Sequence, residues 1–329
     1  MLSERNRQLI RALSEGRACS GNELAERLGI SRASVWKAVR QLQALGMEIH
    51  AVPGVGYRLE HPIELLEAEA IQGGLTVEAA ARLRDLHIHA VVESTNTSLR
   101  DAARTGAASG SLCLAEMQTS GRGRLGRRWQ SPFAGNVYMS LLWHFSSPAL
   151  LEGLSLAIGA LLVRVLRAAG AEGAALKWPN DIQWNERKLG GVLIELSGEI
   201  NGQCAVIVGI GLNCFIPSRS MAEIDQPAAA LHQIRAVRGL SRNRLVADLL
   251  NALLPALAHY ETEGLAAYLE EWQSYHAYHG RAVRLERGGD VIEGTIAGVT
   301  ASGMLLLDGQ DGVRREFSSG DIRLRAAVP

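Results

Sequence analysis

The chain has 329 residues, 47% hydrophobic and 21% charged, with Lys/Arg and Asp/Glu balanced at 34 each. This composition excludes a disordered or fibrous chain and suits two or three soluble globular domains. No apolar run reads as reaching the ~18 residues of a membrane helix, and the polar N-terminus is not that of a signal peptide. The four cysteines, Cys19, Cys113, Cys204 and Cys214, form no Cys-x-x-Cys pair. The protein is therefore expected in the cytoplasm with reduced thiols and away from membranes. No His/Cys cluster suggests zinc, and His276 and His279 read as surface residues.

Residues 1–60 carry nine Lys/Arg against six Asp/Glu, a net +3 that hints at a separate module with an anionic partner. Ser3 can cap a first helix whose apolar face is Leu9, Ile10 and Leu13. Ser20-Gly21-Asn22-Glu23 reads as a capping box, serine reaching forward and glutamate back, ahead of a helix with Leu24, Ala25 and Leu28 inward. Ser31 caps a third helix with Val35, Val39, Leu42 and Leu45 on one face. Its other face shows Arg32, Ser34, Lys37, Arg40 and Gln41, side chains that touch phosphates and base edges. Extended residues 47–52 and 57–59, the latter carrying Arg58, flank Pro53-Gly54-Val55-Gly56, a hairpin with a glycine-rich tip. Helix-turn-helix plus wing resembles the DNA-binding domains of bacterial repressors, with Arg32, Ser34, Lys37, Arg40 and Arg58 as the DNA contacts. A helical module for protein docking is the alternative.

His61-Pro62 ends this unit, and residues 63–84 read as helical with a break at Gly73-Gly74. From residue 87 the pattern is mixed: strands at 89–93, 111–118, 136–145, 175–178, 181–184, 191–197 and 204–213, the last two a hairpin joined at 198–202. Helices are predicted from Ser94-Thr95-Asn96 to about 104, over 150–169, 243–262 and 265–275. Consecutive, mostly hairpin-linked strands predict a mixed, largely antiparallel sheet with helices on one face and an edge near 191–197. After His279-Gly280, short alternating strands at 283–286, 292–299, 304–307, 314–317 and 322–324 predict a small SH3-like barrel.

The chemistry concentrates in Gln118-Thr119-Ser120-Gly121-Arg122-Gly123-Arg124-Leu125-Gly126-Arg127-Arg128-Trp129. Four guanidiniums cannot be desolvated together without partners, so this is a loop. Its glycines allow close backbone approach, and its arginines offer planar forks for carboxylate or phosphate oxygens. A solvated basic loop, or one touching nucleic acid, is the plainer reading. Lys177-Trp178-Pro179-Asn180-Asp181 and Lys188-Leu189-Gly190-Gly191 add cations, an apolar wall and oxygen ligands of the kind Mg²⁺ prefers. Ser94, Thr95 and Asn96 either cap their helix or hydrogen-bond a polar ligand there. Together the set suits a carboxylic acid being joined to a nucleotide phosphate by positioning and electrostatics, with no protein nucleophile.

With GRGRLG at 121–126, KWPND at 177–181, KLGG at 188–191 and Gly209-Ile210-Gly211-Leu212-Asn213, the chain resembles the bacterial bifunctional biotin–protein ligases and biotin-operon repressors along essentially its whole length. The resemblance implies an α+β fold: a winged helix-turn-helix over 1–62, a catalytic domain over 63–278 with the class II synthetase-like biotin–lipoyl ligase sheet, and an SH3-like domain over 279–329. It implies that biotin and ATP, with Mg²⁺, give biotinyl-5′-AMP, which passes biotin to a lysine of the biotin carboxyl carrier protein of acetyl-CoA carboxylase. It also implies a homodimer that, with the adenylate bound, represses at the biotin operator. Ser94, Thr95 and Gln118 then hold the biotin ring, with Asn96, Gly121, Arg122, Gly123, Arg124, Lys188, Gly190 and Gly191 around biotin. Arg122, Arg124, Trp129, Lys177, Asn180 and Asn213 meet the nucleotide, and Asn180 and Asp181 the metal. Lys188, Arg124 and Lys177 are the catalytic cations. Leu125 stands where some relatives have a basic residue, which leaves the loop less charged. Two rivals share features: a lipoyl-protein ligase, expected to show Arg-Arg and Gly-Gly-Gly segments and no winged helix, and a non-catalytic biotin-sensing transcription factor.

Overall fold

Three serines punctuate the first sixty residues. Ser3, Ser20 and Ser31 cap α1 (Glu4–Leu13), α2 (Gly21–Leu28) and α3 (Arg32–Ala44), each side-chain oxygen accepting from the backbone N–H three residues on. Glu23 does not close the expected capping box. Its carboxylate pairs with Arg17 in an exposed cluster that includes Arg27 and Glu15, because a charged partner outcompetes a backbone N–H. β1 (Ile49–Val52) and β2 (Gly56–Leu59) pair antiparallel from Ile49↔Leu59 to Val52↔Gly56. The wing is tied to the turn before α2 by Cys19 and Tyr57, whose backbones exchange hydrogen bonds of 2.9 and 2.8 Å. That approach requires glycine at 56, where φ is 142° and a Cβ would lie 2.1 Å from the Cys19 carbonyl oxygen. Leu9, Ile10, Leu13, Leu24, Val35, Val39, Leu42 and Leu59 fill the core beneath.

This computed structural model describes residues 2–200, 203–287, 290–319 and 322–326; residues 201–202, in the joint expected at 198–202, lie outside them. After α4 (Ala68–Gly73) and α5 (Val77–Arg82), a seven-stranded sheet is built from β3 (Asp85–His89), β4 (Ser111–Ala115), β5 (Val137–Phe145), β6 (Ala174–Lys177), β7 (Asp181–Trp184), β8 (Arg187–Ile200) and β9 (Gln203–Leu212). Its order is β3-β4-β5-β9-β8-β7-β6. Only β3–β4 is parallel. The first strand lies four residues earlier than expected. Pairing with β4 from Asp85↔Ser111 to His89↔Ala115 decides it, rather than the apolar run at 90–92.

Alternation gives the sheet two apolar faces. Leu141, Val206 and Val208 face the main core with α7 (Leu154–Ala168) and α9 (Arg242–Glu263). Leu142, Ala205, Ile207 and Cys113 face α6 (Thr95–Arg104) through Leu99 and Ala103. The expected architecture thus gains one helix on the second face, and that face carries the cavity described below. The 21-residue span Pro148–Ala168, with mean hydropathy 2.0 over an 18-residue window, is long and apolar enough to cross a membrane, which corrects the sequence reading. Ten of the 15 residues of α7 are buried, because the helix lies between sheet and helices. Burial pushes the Cys113 thiol up to about 11.

β8 is interior in strand order, yet β7 pairs with it only over residues 187–191. Beyond Val192 its outer side has no strand partner among the described residues, so an edge does exist near 193–197, with Leu196 55% exposed. The turn before it, Asn185-Glu186, has φ of 49° and 60°, the tight hairpin turn.

α8 (Ser218–Ala222) and two short 3₁₀ turns lead into α9. At its first turn Arg242 is buried and pairs with Glu116 at 2.9 Å, while its Nη1 donates to the Asn136 carbonyl at 2.9 Å. Glu116 also accepts from the Leu66 N–H at 2.6 Å, and Asn243 donates to the Leu65 carbonyl at 2.9 Å. This charged knot fixes the connector after the wing. Phe133 and Ala134 belong to the same buried cluster as the N-terminal helices, so the loop leading into β5 packs into the core of the wing unit.

α10 (Ala266–Tyr275) precedes β10 (Ala282–Arg287), β11 (Asp290–Val299), β12 (Leu305–Gly309), β13 (Arg314–Phe317) and β14 (Ile322–Ala326), an antiparallel sheet ordered β13-β12-β11-β10-β14. Its core residues Val283, Leu285, Ile296, Leu307 and Phe317 continue the main core. His279 is exposed, but His276 is not the surface residue expected. It is 7% exposed and stacks on Trp272 with ring centroids 4.5 Å apart, so burial lowers its pKa to about 3.

Candidate active site

The site grows from the start of α6. Ser94 occupies the N-cap position, yet its side chain makes no capping bond. Gln118, arriving from the end of β4, does that work: its Oε1 accepts from the Thr95 N–H at 2.9 Å and the Thr95 hydroxyl at 3.1 Å. The capping alternative for Ser94 therefore fails, and its hydroxyl faces a cavity of about 630 Å³ between α6, the 121–129 loop and β7–β9. Asn96 is buried and locked. Its Oδ1 accepts from Ser140 at 2.5 Å, and its Nδ2 donates to Glu195 at 2.7 Å. Beside it β9 has glycine where any side chain would collide: a Cβ at Gly209 would sit 2.3 Å from Asn96 Oδ1, and one at Gly211 2.6 Å from Trp129.

The arginine–glycine stretch is a loop, closed on itself by Trp129 N–H to Gly121 O and Gly123 N–H to Arg127 O, both 2.8 Å. Leu125 at φ 57° and Gly126 at φ 69° turn its tip outward, leaving Leu125 52% exposed. Arg122 donates to Thr97 Oγ1 at 3.1 Å and lies 3.6 Å from Glu195. Arg124 donates to Asn180 Oδ1 at 3.4 Å and to the Ser319 carbonyl of the C-terminal sheet. Lys177 Nζ is 5.7 Å from the Tyr278 ring centre. Lys188 Nζ is 2.5 Å from Asp181 Oδ1 and 5.5 Å from the Trp129 ring centre. All four cations line the cavity. It is hydroxyl- and amide-lined beside α6 and cationic elsewhere.

Ser94, Thr95, Asn96, Gln118, Arg122, Gly123, Arg124, Trp129, Lys177, Asn180, Asp181, Lys188 and Gly191 are brought together around this one cavity. Gly121, Gly190 and Asn213 are not among its walls. Gly121 is closed in by Ser131, Trp129 and Gln118, and a Cβ on Gly190 would meet the Gly211 carbonyl oxygen at 2.8 Å, so both serve close packing. Asn213 is buried, donating to the Ala229 carbonyl at 3.0 Å and the Lys188 carbonyl at 3.4 Å; it pins the Lys188 strand to the 225–231 segment. Sequence reasoning missed Glu195, Asp225 and Tyr278, which lie far along the chain, and Gly209 and Gly211, whose alternation in Gly209-Ile210-Gly211 was the available signal. The DNA-contact candidates Arg32, Lys37, Arg40 and Arg58 are exposed, and Ser34 is bonded to Ser31 Oγ at 2.9 Å.

For a metal, Asp181, Glu186 and Asp225 are the carboxylates on the wall, and Glu186 is paired with Arg281 at 2.7 Å. No group of three or more His, Cys, Asp or Glu gathers among the described residues. Asn180 turns its oxygen to Arg124 and its Nδ2 to the Val192 carbonyl at 2.6 Å. This donor set fits a Mg²⁺ that arrives with a polyphosphate and keeps most of its waters, not a resident ion.

A cationic cleft built to stabilise phosphate charge, on a chain that also carries a winged helix, defines a ligase with a DNA-reading module. The family models agree: the biotin/lipoate A/B protein ligase family matches residues 88–213, a helix-turn-helix domain residues 5–58, and the biotin protein ligase C-terminal domain residues 278–325. The chain belongs to the bifunctional ligase/repressor family. It is 40% identical over 322 residues to the bifunctional ligase/repressor BirA of Escherichia coli, covering 97% of each chain. To BirA of Bacillus subtilis it is 32% identical, covering 93% of each. The structure of biotin protein ligase from Aquifex aeolicus in complex with biotin and ATP superposes with TM-score 0.63 at 29% identity, covering 74% of this chain and all of that one.

Proposed function

We propose that the cavity binds biotin at its hydroxyl- and amide-lined end and ATP along its cationic side. The chain is a biotin–protein ligase: the biotin carboxylate attacks the α-phosphate, pyrophosphate leaves, and a carrier-protein lysine then displaces AMP from biotinyl-5′-AMP. The carrier is the biotin carboxyl carrier protein of acetyl-CoA carboxylase. Ser94 and the Thr95–Gln118 pair meet the ureido ring, whose paired N–H donors and carbonyl suit hydroxyl and amide partners. Glu195 orients Asn96 and holds Arg122 over the ligand. Lys188, released from Asp181 as phosphate charge arrives, offsets charge on the α-phosphate; Arg124 and Lys177 act on the phosphates, and Trp129 walls the nucleotide. Such preorganised cations contribute about 3–4 kcal/mol each when aimed at developing charge. Mg²⁺ bound through Asp181 would shield the leaving pyrophosphate.

One observation carries the reading: Arg122, Arg124, Lys177 and Lys188 converge on a cavity beside the start of α6, where the Ser94 side chain makes no capping bond. ATP- and biotin-dependent labelling of a carrier domain, with lipoate as competitor, tests it. Labelling that needs no ATP, or that prefers lipoate, would overturn it.

The chain also represses biotin-synthesis genes by binding operator DNA in the cytoplasm, with the adenylate as corepressor. The 121–134 segment supports this coupling, since it borders the ligand cavity at one end and shares the core of the winged helix at the other. Dimerisation along the outer edge of β8 near Leu196 would place two winged helices on one operator. Carrier protein then competes by drawing on the same monomer.

A further inference from the structure

α3 carries a residue that its phosphate-binding role does not explain. Val35, Ala38, Val39 and Leu42 are buried against α1 and α2, which turns Arg32, Ala33, Trp36, Lys37 and Arg40 outward on one stripe at helical spacing. In the middle of it Trp36 is 55% exposed. A tryptophan side chain presents about 150–250 Å² of largely apolar surface, so leaving it in water in the free chain is costly unless a partner covers it. Arg32, Lys37 and Arg40 around it repel a second copy of the same face and call for a polyanion. Apolar groups inside a polyanion's groove are found in duplex DNA, where each thymine presents its C5-methyl in the major groove. The second helix of a helix-turn-helix sets its N-terminal residues against those base edges.

We infer that Trp36 is a base-reading residue that packs its indole on a thymine methyl in each operator half-site, while Arg32, Lys37 and Arg40 hold the backbone beside it. The inference rests on the operator-binding reading above. It adds that part of the sequence preference is read by apolar contact rather than by hydrogen bonds alone.

The test uses the full chain with biotin and ATP present. Duplexes are selected from a random-sequence pool by the wild-type chain, and the winning duplex is then remade with thymine replaced by deoxyuridine one position at a time. The wild type should lose about fourfold in affinity for each methyl it covers, the value of one methyl-sized group kept from water. Trp36→Ala should bind the selected duplex at least about tenfold more weakly, lose the sensitivity to deoxyuridine at those positions, and keep its random-duplex affinity and ligase rate. Trp36→Phe should retain part of the methyl sensitivity. A Trp36→Ala chain with wild-type affinity and wild-type deoxyuridine sensitivity overturns the inference and leaves operator binding standing. A wild-type chain that enriches no duplex removes the operator reading and this inference with it. An unchanged melting temperature for Trp36→Ala separates lost reading from lost folding.

Discussion

Gly209→Ala tests the packing of the site's inner end. The new Cβ would lie 2.3 Å from Asn96 Oδ1 and 2.9 Å from its Cγ and Nδ2. Ordinary contact requires that side chain to retreat by about 1 Å. It has little room, because Ser140 holds it at 2.5 Å and Glu195 at 2.7 Å. Overpacking costs about 1–3 kcal/mol, and loosening a hydrogen bond to a carboxylate about 1.5–3 kcal/mol. A net loss of about 3 kcal/mol lowers the melting temperature by roughly 4 °C if the 329 residues unfold together. Because Asn96 borders the biotin end, KM for biotin should rise at least about tenfold, equivalent to 1.4 kcal/mol. KM for ATP at saturating biotin should stay near the wild-type value. Calorimetry and steady-state pyrophosphate release measure these. In Gly209→Ala/Asn96→Ala the colliding atoms are gone, so the double variant should be more stable than the sum of the single effects. A Gly209→Ala chain with wild-type melting temperature and wild-type biotin KM refutes the reasoning, as does simple additivity in the double variant.

Lys188→Ala should slow pyrophosphate release by about 10²–10³-fold with the fold intact, since it removes a cation aimed at the α-phosphate; a near-normal rate would remove Lys188 from the chemistry. Arg124→Gly should still make adenylate but leak it, so that mass spectrometry finds biotin on bystander proteins; carrier-only labelling would assign retention to other residues. Leu196→Glu, at the unpaired outer side of β8, should weaken adenylate-dependent self-association and operator binding together, read by sedimentation and DNA titration, and leave carrier labelling unchanged. His276 is held neutral by burial down to about pH 3, whereas in the unfolded chain it takes a proton near its ordinary value of 6.5. Its contribution is therefore complete above pH 6.5 and is lost as pH falls, by about 1.4 kcal/mol per unit; His276→Phe should flatten the stability profile between pH 6 and 4 in urea unfolding.

The residues of the site were legible because their chemistry is local. Glycines alternating with arginines announce a ligand-hugging loop, and KWPND and KLGG add cations that no buried strand tolerates without partners. Three of the expected residues lie off the cavity wall for a common reason. Gly121, Gly190 and Asn213 sit inside the motifs, yet the spacing of a motif does not say which members face the ligand and which hold the backbone. Asn213 illustrates it: the carbonyls of Lys188 and Ala229 claim its amide. Glu195 and Tyr278 were invisible because Glu195 meets the wall residues Asn96 and Arg122 only through the register of a strand, and Tyr278 reaches the cavity only through the return of the chain from α10.

By itself the sequence determined the three-part organisation, the helix starts at Ser3, Ser20 and Ser31, the strand alternation and the family, since all are written in short-range patterns of polarity and capping. The tertiary structure alone decided that α6 lies on the second face of the sheet, that Gln118 rather than Ser94 caps it, and that His276 is buried. It also decided that the apolar span Pro148–Ala168 is a core helix, and that 121–134 links the cavity to the winged helix. Each of these depends on which of two available partners lies nearer in the folded chain, and that is settled by strand order and long-range packing rather than by any stretch of neighbouring residues.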